Sequence, residues 1–305
     1  MADRHLIVGA GAVGRHVAQL LTERGSRVHL ATRSGTDTGI DGVEHETLDA
    51  TDVDELTAAL EGVDVLYNCA NPANYTQWES MWPPLARSLL MAAERSGTVY
   101  VITGNLYPFG PVDGPMVESL ADAATDSKGR IRAWMWKEAL SRHQAGQVRA
   151  VEVRGSDFLG HGIGAGGHLT RHIGRARRGR RAWVVGSPDQ PHTFTDVLDQ
   201  ARTMIAAAED PTAHGRTWLT PSNPPVSPRA ALMQILAAGG LAPVAVSSIP
   251  ALGLLAKVNG FVGEVAEIAY MWRRPYVVDD SAARTHFGLE PTPWDQVCHR
   301  TLVGN

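Results

Sequence analysis

The chain has 305 residues, of which 44% are apolar and 20% charged, and a net charge of −4 at pH 7. This length can bury a large core and predicts one main domain with a smaller appendage, and the charge balance gives no reason to expect nucleic acid or a membrane as a partner. No apolar run approaches the ~18 residues of a membrane span, no leader-like segment precedes the first strand, and two cysteines build no disulfide framework, so we expect a cytoplasmic protein.

Short β-rich runs alternate with helical runs through about residue 155. The predicted strands are Leu6–Val8, Val28–Ala31, Val43–Leu48, Val63–Asn68, Val99–Ile102 and Val148–Val153. The predicted helices are Val13–Arg24, Val53–Leu60, Gln77–Arg95 and Ile131–His143. This alternation predicts an α/β fold with a doubly wound parallel sheet, the Rossmann type. We place this domain at 1–155 and a smaller, mainly ligand-covering region at 156–305, with segments that return to the first domain.

A glycine pattern follows the first predicted strand and precedes the first predicted helix. Gly9 allows a tight turn, Gly11 lets the backbone approach a pyrophosphate, and Gly14 lets the helix pack closely on the sheet. The helix then offers N–H groups of its first turn, around Ala12 and Val13, to phosphate oxygens. The pattern predicts a dinucleotide site; the alternative is a glycine turn in a fold that binds no dinucleotide.

The end of the second strand indicates which dinucleotide binds. An NAD site usually carries an acidic residue there, which holds the ribose 2′-hydroxyl. This chain has Thr32, Arg33 and Ser34 instead. A guanidinium binds a 2′-phosphate through paired, charge-assisted hydrogen bonds. Arg33, assisted by its two neighbours, therefore predicts NADPH as the cofactor; the alternative is a solvated surface arginine.

Later segments that follow strands occur in a recurring order. They are Leu48–Asp52, Asn68–Pro72, Thr103–Gly110, Arg154–Gly160, His192–Val197 and Phe287–Pro291. Their order and spacing resemble those of extended short-chain dehydrogenases/reductases, the group that contains nucleotide-sugar epimerases and dehydratases.

The resemblance implies roles for individual residues. It places Asp49 and Ala50 beside the adenine, the backbone of Cys69, Ala70 and Asn71 along the cofactor, and Gly155 and Ser156 at the nicotinamide amide. These cofactor contacts, like the fold, are expectations that the resemblance supplies.

The catalytic positions depart from the family pattern. The serine position falls on Asn105, with Thr103 close enough to compete. The tyrosine position, four residues before Lys137, is Ala133, which has no proton to give. The resemblance leaves Lys137 to bind the nicotinamide ribose, and Asn105 can donate an amide N–H to a substrate oxygen. The alternatives are an exposed helix lysine and a turn-forming asparagine.

This combination resembles atypical short-chain reductases of aromatic polyketide pathways that lack the catalytic tyrosine. The resemblance implies an NADPH-dependent ketoreductase that acts on a polycyclic aromatic, angucyclinone-like ketone in antibiotic biosynthesis. Water or a substrate hydroxyl would supply the proton, with Tyr107 as the runner-up donor. The alternative function is a catalytically silent NADP(H)-binding sensor or scaffold.

Two further patterns bear on partners. His168 and His172 have a helical i,i+4 spacing, but no third ligand is evident, so we expect no metal site. The basic run 171–181 has little aromatic interleaving, so we expect no nucleic acid.

We also expect a homodimer through helices 77–95 and 131–143, because Trp78, Trp82, Trp134 and Trp136 would supply apolar area.

Overall fold

The computed structural model describes residues 3–72, 74–250, 252–257 and 259–305. The strands are β1 Arg4–Val8, β2 Arg27–Thr32, β3 Val43–Thr47, β4 Val65–Asn68, β5 Val99–Asn105, β6 Arg149–Gly155, β7 Asp157–Leu159, β8 Ala182–Val184, β9 Phe194–Asp196, β10 Thr217–Leu219 and β11 Val246–Ser248. The helices are α1 Ala12–Glu23, α2 Val53–Ala59, α3 Trp78–Ser96, α4 Ser127–Gln144, α5 Ile173–Ala176, α6 Val197–Glu209, α7 Pro228–Ala238, α8 Leu252–Ala256, α9 Gly260–Glu267, α10 Ser281–Phe287 and α11 Trp294–Val303.

Seven strands form the central parallel sheet, in the order β10-β6-β5-β4-β1-β2-β3. From β1 the chain adds β2 and β3 on one side, and then crosses over to add β4, β5, β6 and β10 on the other. The order therefore reverses between β1 and β4, where Val8 pairs in register with both Ala31 and Asn68. This arrangement confirms the predicted doubly wound fold. It places the ligand crevice at the carboxyl ends of β1 and β4.

The chain divides into two compact units. The first contains residues 1–105, 130–154 and 200–218, and the second contains 106–129, 155–199 and 219–305. Each has its own apolar core: the first packs residues such as Leu6, Leu66 and Ile102, and the second packs residues such as Leu159, Phe194 and Leu232.

Helix α4 begins four residues before its predicted start at Ile131. Asp126 caps it, because its Oδ1 accepts a hydrogen bond from the Gly129 N–H at 2.7 Å. An aspartate at the N-cap satisfies one of the donors that a helix leaves unpaired at its start. The extra turn brings Lys128 into the helix.

The tryptophan side chains expected to form a homodimer interface are mostly buried within the chain itself. Trp78, Trp82 and Trp136 are buried within the chain itself. Trp134 is partly exposed, with the Arg87 guanidinium 5.2 Å from its ring centroid. These rings therefore supply little area to a partner, and the homodimer stays a prediction without that surface.

In the described part of the chain, no helix is both long and apolar enough to cross a membrane.

Candidate functional site

The loop between β1 and α1 has the geometry of a phosphate site. Gly9 adopts φ +109°, and a Cβ there would lie 2.7 Å from the backbone of Cys69. At Gly14, a Cβ would lie 2.0 Å from the Gly9 carbonyl oxygen. A Cβ on Gly11 would meet nothing within 4 Å, and Gly11 caps α1 without any side-chain hydrogen bond. Two glycines thus serve close packing, while the third faces open space beside the N–H groups of Ala12 and its neighbours.

The end of β2 presents a cation beside the adenine-side segment. Arg33 directly follows β2 and is exposed. The pKa of the nearby Asp49 carboxyl is lowered, mainly because the Thr51 N–H donates to it and partly by the charge of Arg33. The Thr32 hydroxyl accepts the Thr36 N–H at 3.0 Å and shapes the turn. A guanidinium in place of a carboxylate directly after β2 fits a 2′-phosphate better than a 2′-hydroxyl.

The ends of β4 and β5 hold polar and sulfur groups together. The Thr103 hydroxyl lies 3.5 Å from Cys69 Sγ and 3.3 Å from Met204 Sδ. Burial raises the pKa of the Cys69 thiol to about 12, so this thiol stays protonated. Because the Thr103 hydroxyl is engaged with sulfur, Asn105 at the end of β5 is the better candidate to bind a substrate oxygen.

An unpredicted arginine lies at this edge. Arg132 of α4 is buried, and its guanidinium donates to the Thr103 carbonyl oxygen and to Asn71 Oδ1, each at 3.2 Å. The same group lies 4.2 Å from the ring centroid of Trp82 and 5.2 Å from that of Trp78. The i,i+4 tryptophans of α3 therefore form a cation–π platform. They hold a permanent positive charge where the ends of β4 and β5 meet.

Lys137 does not occupy that place. It is exposed, and it lies five residues beyond Arg132, which is about 140° around an α-helix. The buried residues of this stretch are Arg132, Met135, Trp136 and Ala139. Because α4 turns Lys137 away from this face, the structure does not bring Lys137 beside Arg132; the ribose contact of Lys137 stays a prediction, and Arg132 is a second candidate for it.

The second unit contains three of the predicted residues, Tyr107, Gly155 and Ser156. Tyr107 is buried in a short 3₁₀ turn, and Ser156 is buried with its N–H donating to Thr195 Oγ1 at 2.9 Å. Gly155 ends β6 immediately before Ser156.

A buried polar cluster in this unit was not predicted. Asp157 Oδ2 accepts from Trp272 Nε1 at 2.6 Å and lies 3.0 Å from His192 Nε2. The His168 ring stacks on Trp272, with a centroid separation of 4.3 Å. Burial alone would raise the pKa of Asp157, but the contact with His192 outweighs it and lowers that pKa to about 2. Burial lowers the pKa of His168 to about 3, so this imidazole is neutral at pH 7.

Among the described residues, His168 and His172 do not belong to any group of three or more His, Cys, Asp or Glu side chains that could hold a metal ion. His168 instead packs on an aromatic ring, as a core histidine does.

The fold and the glycine loop agree with a family comparison. A model described as the NAD dependent epimerase/dehydratase family matches residues 5–219. Since this match covers more than half of the chain, the chain belongs to that family. It is therefore an NAD(P)-dependent enzyme of the oxidoreductase type. No curated protein sequence matches the chain.

Solved structures give the same fold over the whole length. A putative epimerase from Burkholderia cenocepacia J2315 shares 20% identity and a TM-score of 0.77, covering 99% of this chain and 97% of its own. UDP-glucose 4-epimerase from Brucella ovis, in complex with NAD, shares 18% identity and a TM-score of 0.78, covering 99% and 98%. dTDP-glucose 4,6-dehydratase from Bacillus anthracis, also in complex with NAD, shares 14% identity and a TM-score of 0.80, covering 99% and 96%. At these identities the likeness shows the fold.

Proposed function

We propose that the protein is an NADPH-dependent ketoreductase that reduces a ketone of a polycyclic aromatic, angucyclinone-like polyketide in antibiotic biosynthesis. Helix α4 carries the observation on which this proposal depends: its sequence, SKGRIRAWMWKEALSRHQ, contains no tyrosine. Whichever residue of α4 is matched to the usual position, no phenol is present to remove and return a proton reversibly. Net reduction needs only one proton delivery, so it tolerates this loss better than epimerisation does.

The cofactor preference rests on Arg33. Its exposed guanidinium follows β2, where an NAD site would carry a carboxylate. The Brucella ovis epimerase and the Bacillus anthracis dehydratase described above are complexes with NAD, and this chain differs from the usual NAD pattern at that position. We therefore assign NADPH.

The substrate class follows from the proton that reduction requires. A positioned general acid typically contributes about 10²–10⁴-fold in rate. A polycyclic phenol whose hydroxyl already hydrogen-bonds the ketone supplies part of this effect itself, and ordered water can supply the proton. Asn105 would stabilise negative charge on the substrate oxygen, a contribution typically worth about 10²-fold or more.

The test is NADPH oxidation by the purified enzyme. The substrates are an angucyclinone with a phenol beside the ketone, its O-methyl ether and a simple aryl ketone. We expect oxidation of NADPH with the first compound, slower reaction with the ether, and a loss of rate of about 10²-fold in Asn105→Ala. If NADPH binds but no polycyclic ketone is reduced, the protein is instead a silent NADP(H)-binding sensor or scaffold.

A further inference from the structure

The Asp157 carboxylate lies in a polar cluster formed entirely by residues of the second unit. Its Oδ2 accepts a hydrogen bond from Trp272 Nε1 at 2.6 Å and lies 3.0 Å from His192 Nε2. Both of these ring systems are almost completely buried. One oxygen of the carboxylate is therefore held in place from inside the protein.

The other oxygen of Asp157, Oδ1, is available to a ligand. Within the described part of the chain it has no hydrogen-bond partner, and it is not enclosed, because 15% of the side chain is exposed. Burial alone would raise the pKa of this carboxyl, but the contact with His192 outweighs burial and lowers the pKa to about 2. At pH 7 the cluster therefore presents a negatively charged acceptor oxygen.

A second polar atom of the same cluster also lacks a partner. The His168 ring is more than nine-tenths buried and stacks on Trp272 with a centroid separation of 4.3 Å. Its Nε2 is buried and has no hydrogen-bond partner among the described residues. A buried polar atom of this kind is costly unless another molecule supplies the missing hydrogen bond. Two unpaired polar atoms beside one indole ring thus point to a ligand that brings polar groups of its own.

The charge of Asp157 restricts the chemistry of that ligand. A carboxylate oxygen only accepts hydrogen bonds, so the ligand group opposite Oδ1 must donate one. A hydroxyl meets this condition, whereas a phosphate or a second carboxylate is repelled. The rings around the carboxylate are aromatic, since His192 also stacks on Tyr276 with a centroid separation of 5.2 Å, and aromatic surroundings suit a flat, apolar ligand body.

We propose that Asp157 binds a hydroxyl group of a neutral aromatic ligand and excludes anionic ligands, with Trp272 and His192 as the positioning residues that hold its carboxylate. The choice of an aromatic ligand rests on the proposed ketoreductase function, whose polycyclic substrates carry phenol groups. The phenol bound by Asp157 is distinct from the ketone that is reduced. A nucleotide sugar, which carries a diphosphate, would be repelled by this oxygen.

The test compares three probes that share an aromatic body: naphthol, its O-methyl ether and naphthyl phosphate. Each is titrated calorimetrically into the full chain, without added nucleotide and again with saturating NADP⁺. The phenol donates a hydrogen bond, the ether only accepts one, and the phosphate is an anion. We expect the parent to bind naphthol at least about tenfold more tightly than the ether, because the ether loses a hydrogen bond to a charged group. The phosphate should not bind measurably.

Asp157→Asn should change the group that faces the ligand. Because the Trp272 indole N–H can only donate, the amide oxygen should take the place of Oδ2, and the amide N–H₂ should then stand where Oδ1 stood. The preference for naphthol over the ether should fall below about twofold, and naphthyl phosphate should now bind. A purely structural role for Asp157 would instead weaken the binding of all three probes together.

Asp189→Asn is a matched control. Asp189 belongs to the same unit and is also paired with a cation, since its Oδ1 lies 2.7 Å from Arg229 Nε. This substitution should leave the affinities for all three probes unchanged. The comparison of the three probes in the parent needs no substituted protein, so it tests the inference even if Asp157→Asn does not fold.

Several results overturn the inference. In the parent they are equal affinity for naphthol and its ether, binding of naphthyl phosphate, or binding of none of the probes. In folded Asp157→Asn the corresponding result is an unchanged preference for naphthol. A parent that shows the expected preferences but reduces no ketone overturns the proposed function and leaves the hydroxyl site standing, so the two failures are distinguishable.

Discussion

Replacing Arg33 tests the cofactor preference most directly. NADPH and NADH differ only in the 2′-phosphate, so any contact that Arg33 makes with this group should affect one nucleotide alone. Arg33 is exposed immediately after β2. Arg27 stands at the opposite end of the same strand and is also exposed, so Arg27→Ala is a matched control for the loss of one surface charge.

The expected magnitude follows from an exposed, bidentate contact. A hydrogen bond to a charged group contributes about 1.5–3 kcal/mol, and solvent screening reduces the Coulomb share at an exposed position. We therefore expect Arg33→Ala to lose about 2–3 kcal/mol of NADPH binding, which is roughly 30- to 150-fold in Kd. Arg33→Asp should lose more, because a carboxylate repels the phosphate. NADH affinity should change by less than about twofold in Arg33→Ala.

Calorimetric titration with both nucleotides at two salt concentrations measures these effects. In the parent, NADPH binding should weaken as salt rises, and this dependence should become smaller in Arg33→Ala. Equal affinity of the parent for NADPH and NADH would refute the assignment of Arg33. An equal loss of NADPH affinity in Arg27→Ala would show that the effect is nonspecific.

Three further outcomes follow from the structure. Arg132→Met should weaken NADPH binding about tenfold in calorimetry, because a charge-assisted contact is lost, whereas Lys137→Met should leave it unchanged; the opposite result would assign the ribose contact to Lys137. Gly14→Ala should lower the Tm and cost about 1–3 kcal/mol of stability, because its Cβ would lie 2.0 Å from a backbone oxygen. Gly11→Ala should instead weaken NADPH binding with little change in Tm. The folded-state pKa of His168, about 3, lies below the unfolded value of ~6.5, so its stabilising contribution is complete above pH 6.5. Denaturant titrations should show the free energy of unfolding falling by up to about 1.4 kcal/mol per pH unit as the pH drops from 6 to 4. His168→Phe should flatten this slope, and an unchanged slope would contradict the burial argument.

The sequence predicts the order of the first six strands because their apolar runs are short and regularly separated by helical runs. Strands β1 to β6 are confirmed, and so are the four helices between them. Strand β10, which completes the sheet, has only three residues and follows more than sixty residues after β6 in the chain. Its pairing depends on contacts that are distant in sequence, and a three-residue run carries no clear periodicity.

The nucleotide edge is predictable because its residues lie within a few residues of the carboxyl end of a strand. Parallel strands bring their carboxyl ends to one edge, so Gly9, Arg33, Asn71 and Thr103 fall together without any knowledge of side-chain packing. The strand-end rule does not predict Arg132, because this residue comes from a helix and arginine is a residue type expected at the surface. Its burial depends on the indole rings of α3, and the sequence does not show that α3 and α4 bring these groups together.

The boundary of α4 explains why the sequence pattern leaves Lys128 outside the predicted helix. A start at Ile131 excludes Lys128 from the helix, whereas capping by Asp126 includes it. Asp126 followed by Ser127 is an N-cap signal that the sequence does contain. Gly129, a poor helix former, lies within the first turn and obscures that signal.

Once α4 starts at Ser127, two cations lie one turn apart on it, and like charges at this spacing repel. Each is compensated by different chemistry: Arg132 by indole faces and neutral oxygens, Lys128 by two carboxylates. The two residue types suit these surroundings, since a planar guanidinium stacks on aromatic rings and holds a fixed geometry, whereas an ammonium on a flexible stem binds two carboxylates at once.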